Sequence, residues 1–558
     1  MRAIFICALL WISSSFAQSQ IVPVKSQDSL LGHKVIMDKN NRLLSWYKPE
    51  IPGAAFEHVV KLAAEFIRTG IPTDAKTGKK LYFVTCCFDG PQIIGEENWK
   101  QGKGGSFWPH NPACFYAGMV QSLAVQYFPY TGDSSWIALA REMLDYQLNH
   151  GTTPSHFKWP GVPYASSDPF ETEYQGATLW ETDGFRGDGL HGIEPDKVGE
   201  LGYAYVRFFE ITGEKKYLDA AIRCADALAA NIYNPVTTDN LLLGTDISRS
   251  PWPFRINART GAIISPYSSN VLEPVKLLDE LLRIKEVAGL NKEQDSAYQN
   301  ARDVAWNWLF SRYGPVVTYI WNGYFEDIPN DRELANRVQI TPGELAKYLI
   351  LHQNDKEKYD LTIRNIIYWI RNSFADGELD GIREQTWCYE TMGSHSARYG
   401  SLCALYYENT GNPWFREEAY HHLNYATYMC WENGVVSVGH RWPGSWFSDG
   451  YSDYIRHFLD ALAAVPEWVP PGEDHLLRSS SIIRSIQYEE KLIRYSTFDI
   501  SSSEKFVLSQ KPKFIKAGNR VLPEKKVPTE NSWVWRPLKT GGVLLIHHSM
   551  SREISIQK

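Results

Sequence analysis

Three stretches of the sequence concentrate groups able to move protons or hold a polar ligand. Between Trp180 and Glu194 lie four carboxylates, Arg186 and His191, spaced by four glycines, just ahead of an apolar-periodic segment. Glycine lets a backbone pass close to a ligand, and a helix start favours anionic groups. Asp183, Asp188 and His191 are the catalytic candidates here, with Trp180 and Arg186 for substrate contact. A calcium-binding or self-satisfied polar loop would use the same residues, although their spacing fits no EF-hand.

Between Arg383 and His395, the residues Tyr389, Glu390 and His395 supply three proton carriers beside Trp387. They equally suit a capping segment in which Glu390 complements a helix dipole. From His440 to Asp453, Asp449 precedes a final helix and Asp453 lies one turn above His457, where a local Asp–His pair is the simpler expectation. His440, Arg441, Trp442 and Trp446 look like a ligand surface. Trp108 and His110 open the helix that begins at Pro112, and Arg255 and Arg259 lie between Trp252 and Tyr267. Arginine recognises planar carboxylates bidentately, so these cations suggest an acidic ligand such as a uronic acid. Alternatively, they only balance the loop carboxylates.

These loops need a rigid frame. Thr131-Gly132-Asp133 recurs as Thr212-Gly213-Glu214 and Thr410-Gly411-Asn412, with looser copies at Gly289-Leu290-Asn291 and Gln353-Asn354-Asp355. In each, Gly closes one helix, an Asp-like residue caps the next, and an aromatic lands on the new helix's buried face. The flanking segments carry apolar residues at three- and four-residue spacing, as in Leu218, Ala221, Ile222, Ala225 and Leu228. Five such hairpins, plus helices from Ala54 and from Ser452, make twelve helices. The expected fold is mainly α, an (α/α)6 toroid over residues 54–470. The alternative, an open solenoid, calls for repeats of near-constant length, and these are unequal. The excess length sits in loops at one rim, where function concentrates.

After Val469-Pro470-Pro471-Gly472 the pattern turns to short β-like runs, giving a small β domain over 475–558, to which Val35 to Met37 would add a strand. Arg2, the apolar run Ala3 to Ile12 and Ser15-Phe16-Ala17 read as a cleavable signal peptide over 1–17, followed by an extension over 18–53. That apolar run is short of the ~20 residues that span a bilayer. Cys7 lacks the small residues that precede a lipidated cysteine. A periplasmic or secreted chain without membrane insertion is expected. Charged residues at 22% and apolar residues at 44% exclude a disordered chain, and a net charge of −7 makes nucleic acid a poor partner. The seven remaining cysteines, an odd number, make no disulfide framework, and adjacent Cys86-Cys87 lack the CxxC or His pair of a metal centre. No metal and no cofactor is expected.

The hairpin count, the Thr-Gly turns, the Trp-rich rim and the Asp183 to Glu194 stretch before Gly199-Glu200-Leu201-Gly202 together resemble the six-hairpin glycosidase superfamily. That group includes unsaturated glucuronyl and rhamnogalacturonyl hydrolases and related toroid lyases. The resemblance spans roughly residues 50–470 and implies an enzyme acting on acidic oligosaccharides. The glucuronyl hydrolases' Trp-Gly-Arg-Gly motif has no clean match, Phe185-Arg186-Gly187-Asp188-Gly189 being only similar. The C-terminal stretch is too short for the large β-sandwich of toroid lyases, which tilts the expectation towards a glycoside hydrolase. Its acid and base would come from Asp183, Asp188, Glu390 and Asp449. In a lyase or dehydratase, Arg383, Arg441, His110 and His191 would neutralise a uronate while Tyr389 or His395 removes a proton. A non-catalytic glycan-binding protein would need only the aromatic platform.

Overall fold

A computed structural model describes residues 29–179, 188–233, 250–268, 270–323, 336–352, 356–376, 379–386, 388 and 390–558. Twelve helices alternate between an outer and an inner ring among the described residues. In chain order they are α1 (Ala54–Glu65), α2 (Pro112–Met119, continued by Val120–Tyr127 and Phe128–Thr131) and α3 (Ser135–His150). Next come α4 (Pro195–Thr212), α5 (Lys215–Ala230), α6 (Leu272–Arg283) and α7 (Lys292–Phe310). Then follow α8 (Ile340–His352), α9 (Lys356–Phe374), α10 (Gly393–Thr410), α11 (Pro413–Thr427) and α12 (Tyr454–Ala464, preceded by Ser448–Asp453).

The even-numbered helices form the inner ring. α2 packs on α4, α4 on α6, α8 on α10 and α10 on α12, which returns to the Val120–Tyr127 stretch of α2. Tyr348 Oη donates to Asp279 Oδ2 at 2.5 Å and joins α6 to α8. The ring therefore closes, which excludes the open solenoid. The odd-numbered helices back it from outside, each against its hairpin partner, with α1 against α12.

The hairpin turns follow from their chemistry. Gly132, Gly213 and Gly411 end α2, α4 and α10 with φ of 78°, 74° and 69°, a region costly for residues with a Cβ. Asp133 Oδ1 and Asn412 Oδ1 accept from Ser135 N and Trp414 N, and Asn291 forms a full capping box. Glu214 departs from this expectation. It makes no cap and instead pairs with Arg141 at 2.9 Å. Trp136, Tyr217 and Phe415 are buried on the far side of the turns.

Nine antiparallel strands follow the ring. One sheet orders His475–Ser479, Ser502–Leu508, Gly542–His548 and Ser532–Pro537; the other orders Ile483–Tyr488, Leu492–Thr497, Glu553–Gln557, Phe514–Ala517 and Arg520–Leu522. The sheets share one core, with Tyr495 and Phe506 in ring contact at 5.4 Å. Ile36–Met37 is not part of it. That strand pairs with Leu43–Leu44, which packs on α11, because the chain there runs along the outer ring.

The sandwich covers the rim of short turns. Tyr488 Oη donates to Pro129 O at 2.6 Å and Arg484 Nε to Glu210 O at 2.9 Å. The opposite rim carries the long connections, stitched by Cys87–Phe88 with Ser445–Trp446, by Gly192–Ile193 with Pro253–Asn257 and Ile263–Ser268, and by Ala375–Asp376 with Gly381–Arg383 and Thr391–Met392. Among the described residues, no helix is long and apolar enough to cross a membrane, and the described cysteines form no disulfide.

Candidate functional site

The bore of the ring opens on the long-loop rim as a cavity. Its free space, open mouth included, is about 1360 Å³. Five of the expected residues line it: Trp108, Asp188, Arg255, Trp446 and Asp449. The indoles form a path inward. Exposed Trp442 meets Trp446 edge-on at 6.0 Å, and Trp446 lies 5.8 Å from Trp108.

The rest of the wall comes from the inner helices. Glu194 precedes α4, whose Lys197, Glu200 and Tyr203 follow at three-residue intervals and face inward together. α6 adds Glu273 and Lys276, α8 adds Glu344, α10 adds Arg398, and the entry to α12 adds Asp449, Asp453 and Arg456. Sequence reading passed over Glu200, Glu344 and Arg398 because it looked to loops. The available signal was a charged stripe on helices otherwise apolar on that face.

These charges are not alike. Arg255 Nε lies 2.6 Å from Asp188 Oδ1 and 2.9 Å from Glu194 Oε1, with all three buried. Ser166 Oγ donates to the other Asp188 oxygen. Glu344 accepts from Arg398 Nε at 3.1 Å and from Arg456 at 3.0 and 3.1 Å. Burial alone would raise its acid, but Arg456, Lys347 and Arg398 hold it well below the usual carboxylate range. Asp453 bonds both arginines, so its contact with His457, at 3.9 Å, is the lesser one.

Two acids behave differently. Burial pushes Glu200 up to about 7, with Lys197 opposing and Glu273 adding to the rise. Its Oε2 accepts from Lys197 Nζ at 3.1 Å and its Oε1 from the Cys114 thiol at 3.8 Å. Burial, with Asp453 as a like charge, pushes Asp449 up to about 6. Both carboxyls, with Asp453, add to the rise that burial gives the Cys114 thiol. Carboxylic acids that keep a proton near neutrality inside a cavity are suited to general acid–base work.

The remaining expected residues lie elsewhere. His110 is wholly buried, edge-on to Tyr174 at 5.5 Å, and burial lowers it to about 3. His191 sits at φ 63° against Phe157, lowered by burial and by Arg259. Glu390 Oε1 accepts from the backbone N–H of Arg441 at 2.8 Å and of Trp442 at 3.3 Å, so it braces that turn, while burial raises its acid. His440 Nδ1 lies 3.1 Å from Tyr425 Oη, and burial lowers it to about 4. Arg383 donates to Ser373 O at 2.9 Å. Arg441 is half exposed, 3.8 Å from Asp376. Asp183, Trp180, Arg186, Trp387 and Tyr389 lie outside the described residues.

His395 lies behind the wall, wholly buried, where it and Glu384 and Asp449 place one ligand-type atom each within 4.8 Å of the others. Its Nδ1 faces Arg398 Nη1 at 2.5 Å. The guanidinium can only donate, so the imidazole proton sits on Nε2, the atom turned towards Glu384 at 4.0 Å. A protonated nitrogen beside a fixed cation is a poor metal ligand.

No protein-family model and no curated protein matches the sequence. Solved structures of similar shape include a sugar epimerase from a ruminal bacterium and cellobiose 2-epimerase from Bacillus thermoamylovorans. Each is 11% identical, over 73% of this chain and 98% of its own, at a TM-score of 0.47. An unsaturated glucuronyl hydrolase specific for heparin is 12% identical over 74% of this chain and 96% of its own, at 0.41. The likeness is one of architecture, the ring of six helical hairpins, and no activity is read from it.

Proposed function

We propose that the chain hydrolyses glycosidic bonds of an oligosaccharide, with Glu200 and Asp449 as the acid–base pair of the central cavity. The observation that supports this reading is the rise of both carboxyls towards neutrality in one cavity wall, Glu200 from α4 and Asp449 from the entry to α12. Glu200 holds its proton longer and gives it to the departing glycosidic oxygen, and Lys197 then steadies the carboxylate. Asp449, whose shift comes from burial and neighbouring charges alone, activates water or attacks the anomeric carbon. The oxocarbenium-like transition state is positive. The described cavity wall carries eight carboxylates against five cations, a field that favours such a charge.

Elimination is the weaker reading. It needs a Tyr or His base and cations free to neutralise a uronate. Tyr203 is the lining phenol among the described residues, its hydroxyl pushed up by burial, and no described histidine lines the cavity. Arg255, Arg398 and Arg456 each already face two carboxylates. An acidic oligosaccharide would therefore place a neutral ring at the reacting position and its uronate on the rim, against half-exposed Arg441 beside Trp442. Glycan capture without turnover would not require acids tuned towards neutrality.

Export through the N-terminal segment belongs to the same proposal, since an oligosaccharide hydrolase of this kind would meet its substrate outside the cytoplasm. Incubating the mature chain with neutral and uronate-containing oligosaccharides tests the activity. Cleavage that gains water supports it, and the absence of any cleaved glycan contradicts it.

A further inference from the structure

We propose that Glu57, Glu473 and His475 form a zinc-type divalent-cation site where the β-sandwich meets the helical ring. One ligand-type atom from each lies within 4.8 Å of the other two. His475 Nε2 is 3.1 Å from Glu473 Oε2 and 3.8 Å from Glu57 Oε1. Two ligands held tetrahedrally at ~2.1 Å from zinc stand about 3.4 Å apart, midway between these values.

The tautomer is the second observation. His475 Nδ1 lies 2.9 Å from the carbonyl oxygen of Tyr130, which can only accept, so Nδ1 carries a proton. Nε2 is then the ring nitrogen turned towards the carboxylates; it donates to Glu473 Oε2 at 3.1 Å, and a cation bound there would take the place of that proton. A backbone carbonyl behind Nδ1 is the usual support of a metal-binding histidine. Tyr130 also stacks flat on the ring, at 3.9 Å and 3°. His395, behind the wall of the central cavity, has its Nδ1 against the Arg398 guanidinium instead, which is why a cation is assigned here and not there.

Glu57 is 2% exposed, and its Oε1 is held in an ion pair with Lys61. The ammonium of Lys61 stands 3.0 Å from that oxygen and 3.7 Å from Glu473 Oε2. Lys61 is half exposed and free to swing into solvent, so it acts as the resident counter-ion that a metal displaces. The bound cation would tie α1 to the first strand of the sandwich, whose His475 also holds the end of α2 through Tyr130 O.

The test is calorimetric titration of the chelator-stripped full chain with zinc chloride, with metal content measured after dialysis. One zinc per chain is expected. Glu473→Gln, at a half-exposed position that folding tolerates, should weaken binding by roughly tenfold or more. Lys61→Met should tighten it several-fold, which a merely structural salt bridge would not do. A wild-type chain that binds no zinc overturns the proposal, as does binding that Glu473→Gln leaves unchanged.

Discussion

Arg398 donates through Nη1 to Nδ1 of His395 at 2.5 Å, and the buried imidazole is thereby held neutral with its proton on Nε2. Burial first and the guanidinium second lower this histidine well below its ordinary value. Its Nε2–H is turned towards Glu384, 4.0 Å away, and the ring is not a base. Nitrogen-15 histidine spectra should show the Nε2–H tautomer for His395 with no titration between about pH 5 and 8. A His395 signal that gains a proton in that range would place a free base beside the cavity.

The two tuned carboxyls should each be needed for turnover. Glu200→Gln and Asp449→Asn should lower kcat by about 10²–10⁴ while leaving the circular dichroism spectrum unchanged. Asp188→Asn should act differently. Its partner Arg255 is buried, so the loss should appear in stability as well as in rate.

The pH profile should be a narrow bell. kcat/KM rises as Asp449 loses its proton through about pH 6 and falls as Glu200 loses its own through about 7. Because the two carboxyls share one charged cavity, the limbs belong to the pair. A profile flat from pH 5 to 9 would remove the acid–base assignment.

Stability should carry the same signature. The folded chain favours protonated Glu200, so between its ordinary value of 4.5 and about 7 it binds more protons than the unfolded chain. This contribution is full below pH 4.5 and is lost as pH rises to 7. Denaturant midpoints should show Glu200→Gln losing less stability than the wild type across that window.

Glu344 holds two arginines in the middle of the ring. Glu344→Ala leaves both uncompensated and should cost about 3–5 kcal/mol by chemical denaturation. A cost below about 1 kcal/mol would mean that Asp453 alone satisfies them.

The ring was legible because its turns are chemical. Thr-Gly-Asp and Thr-Gly-Asn name a helix end and a helix start in one stroke, and Trp136 and Phe415 are buried where that reading puts them. The site was legible only in part. Asp449 and Trp446 stand out in a loop rich in Trp, but Glu200 sits in mid-helix, where a lone Glu reads as solvent-facing. Only closure of the ring turns that face inward. Nor does sequence distance reveal that Arg398 and Arg456 meet over Glu344. The same blindness drew Glu390 and His110 into the candidate list, since a carboxylate bracing a turn and a histidine packed in the core have the same letters as catalytic ones.

The most direct test is mass analysis of oligosaccharides incubated with the wild type and with Glu200→Gln. The wild type should add one water per bond cleaved, with no rise in the ultraviolet absorbance of an unsaturated uronate, and Glu200→Gln should lose this reaction. A rise in that absorbance, or a Glu200→Gln variant as active as the wild type, would contradict the proposed hydrolysis.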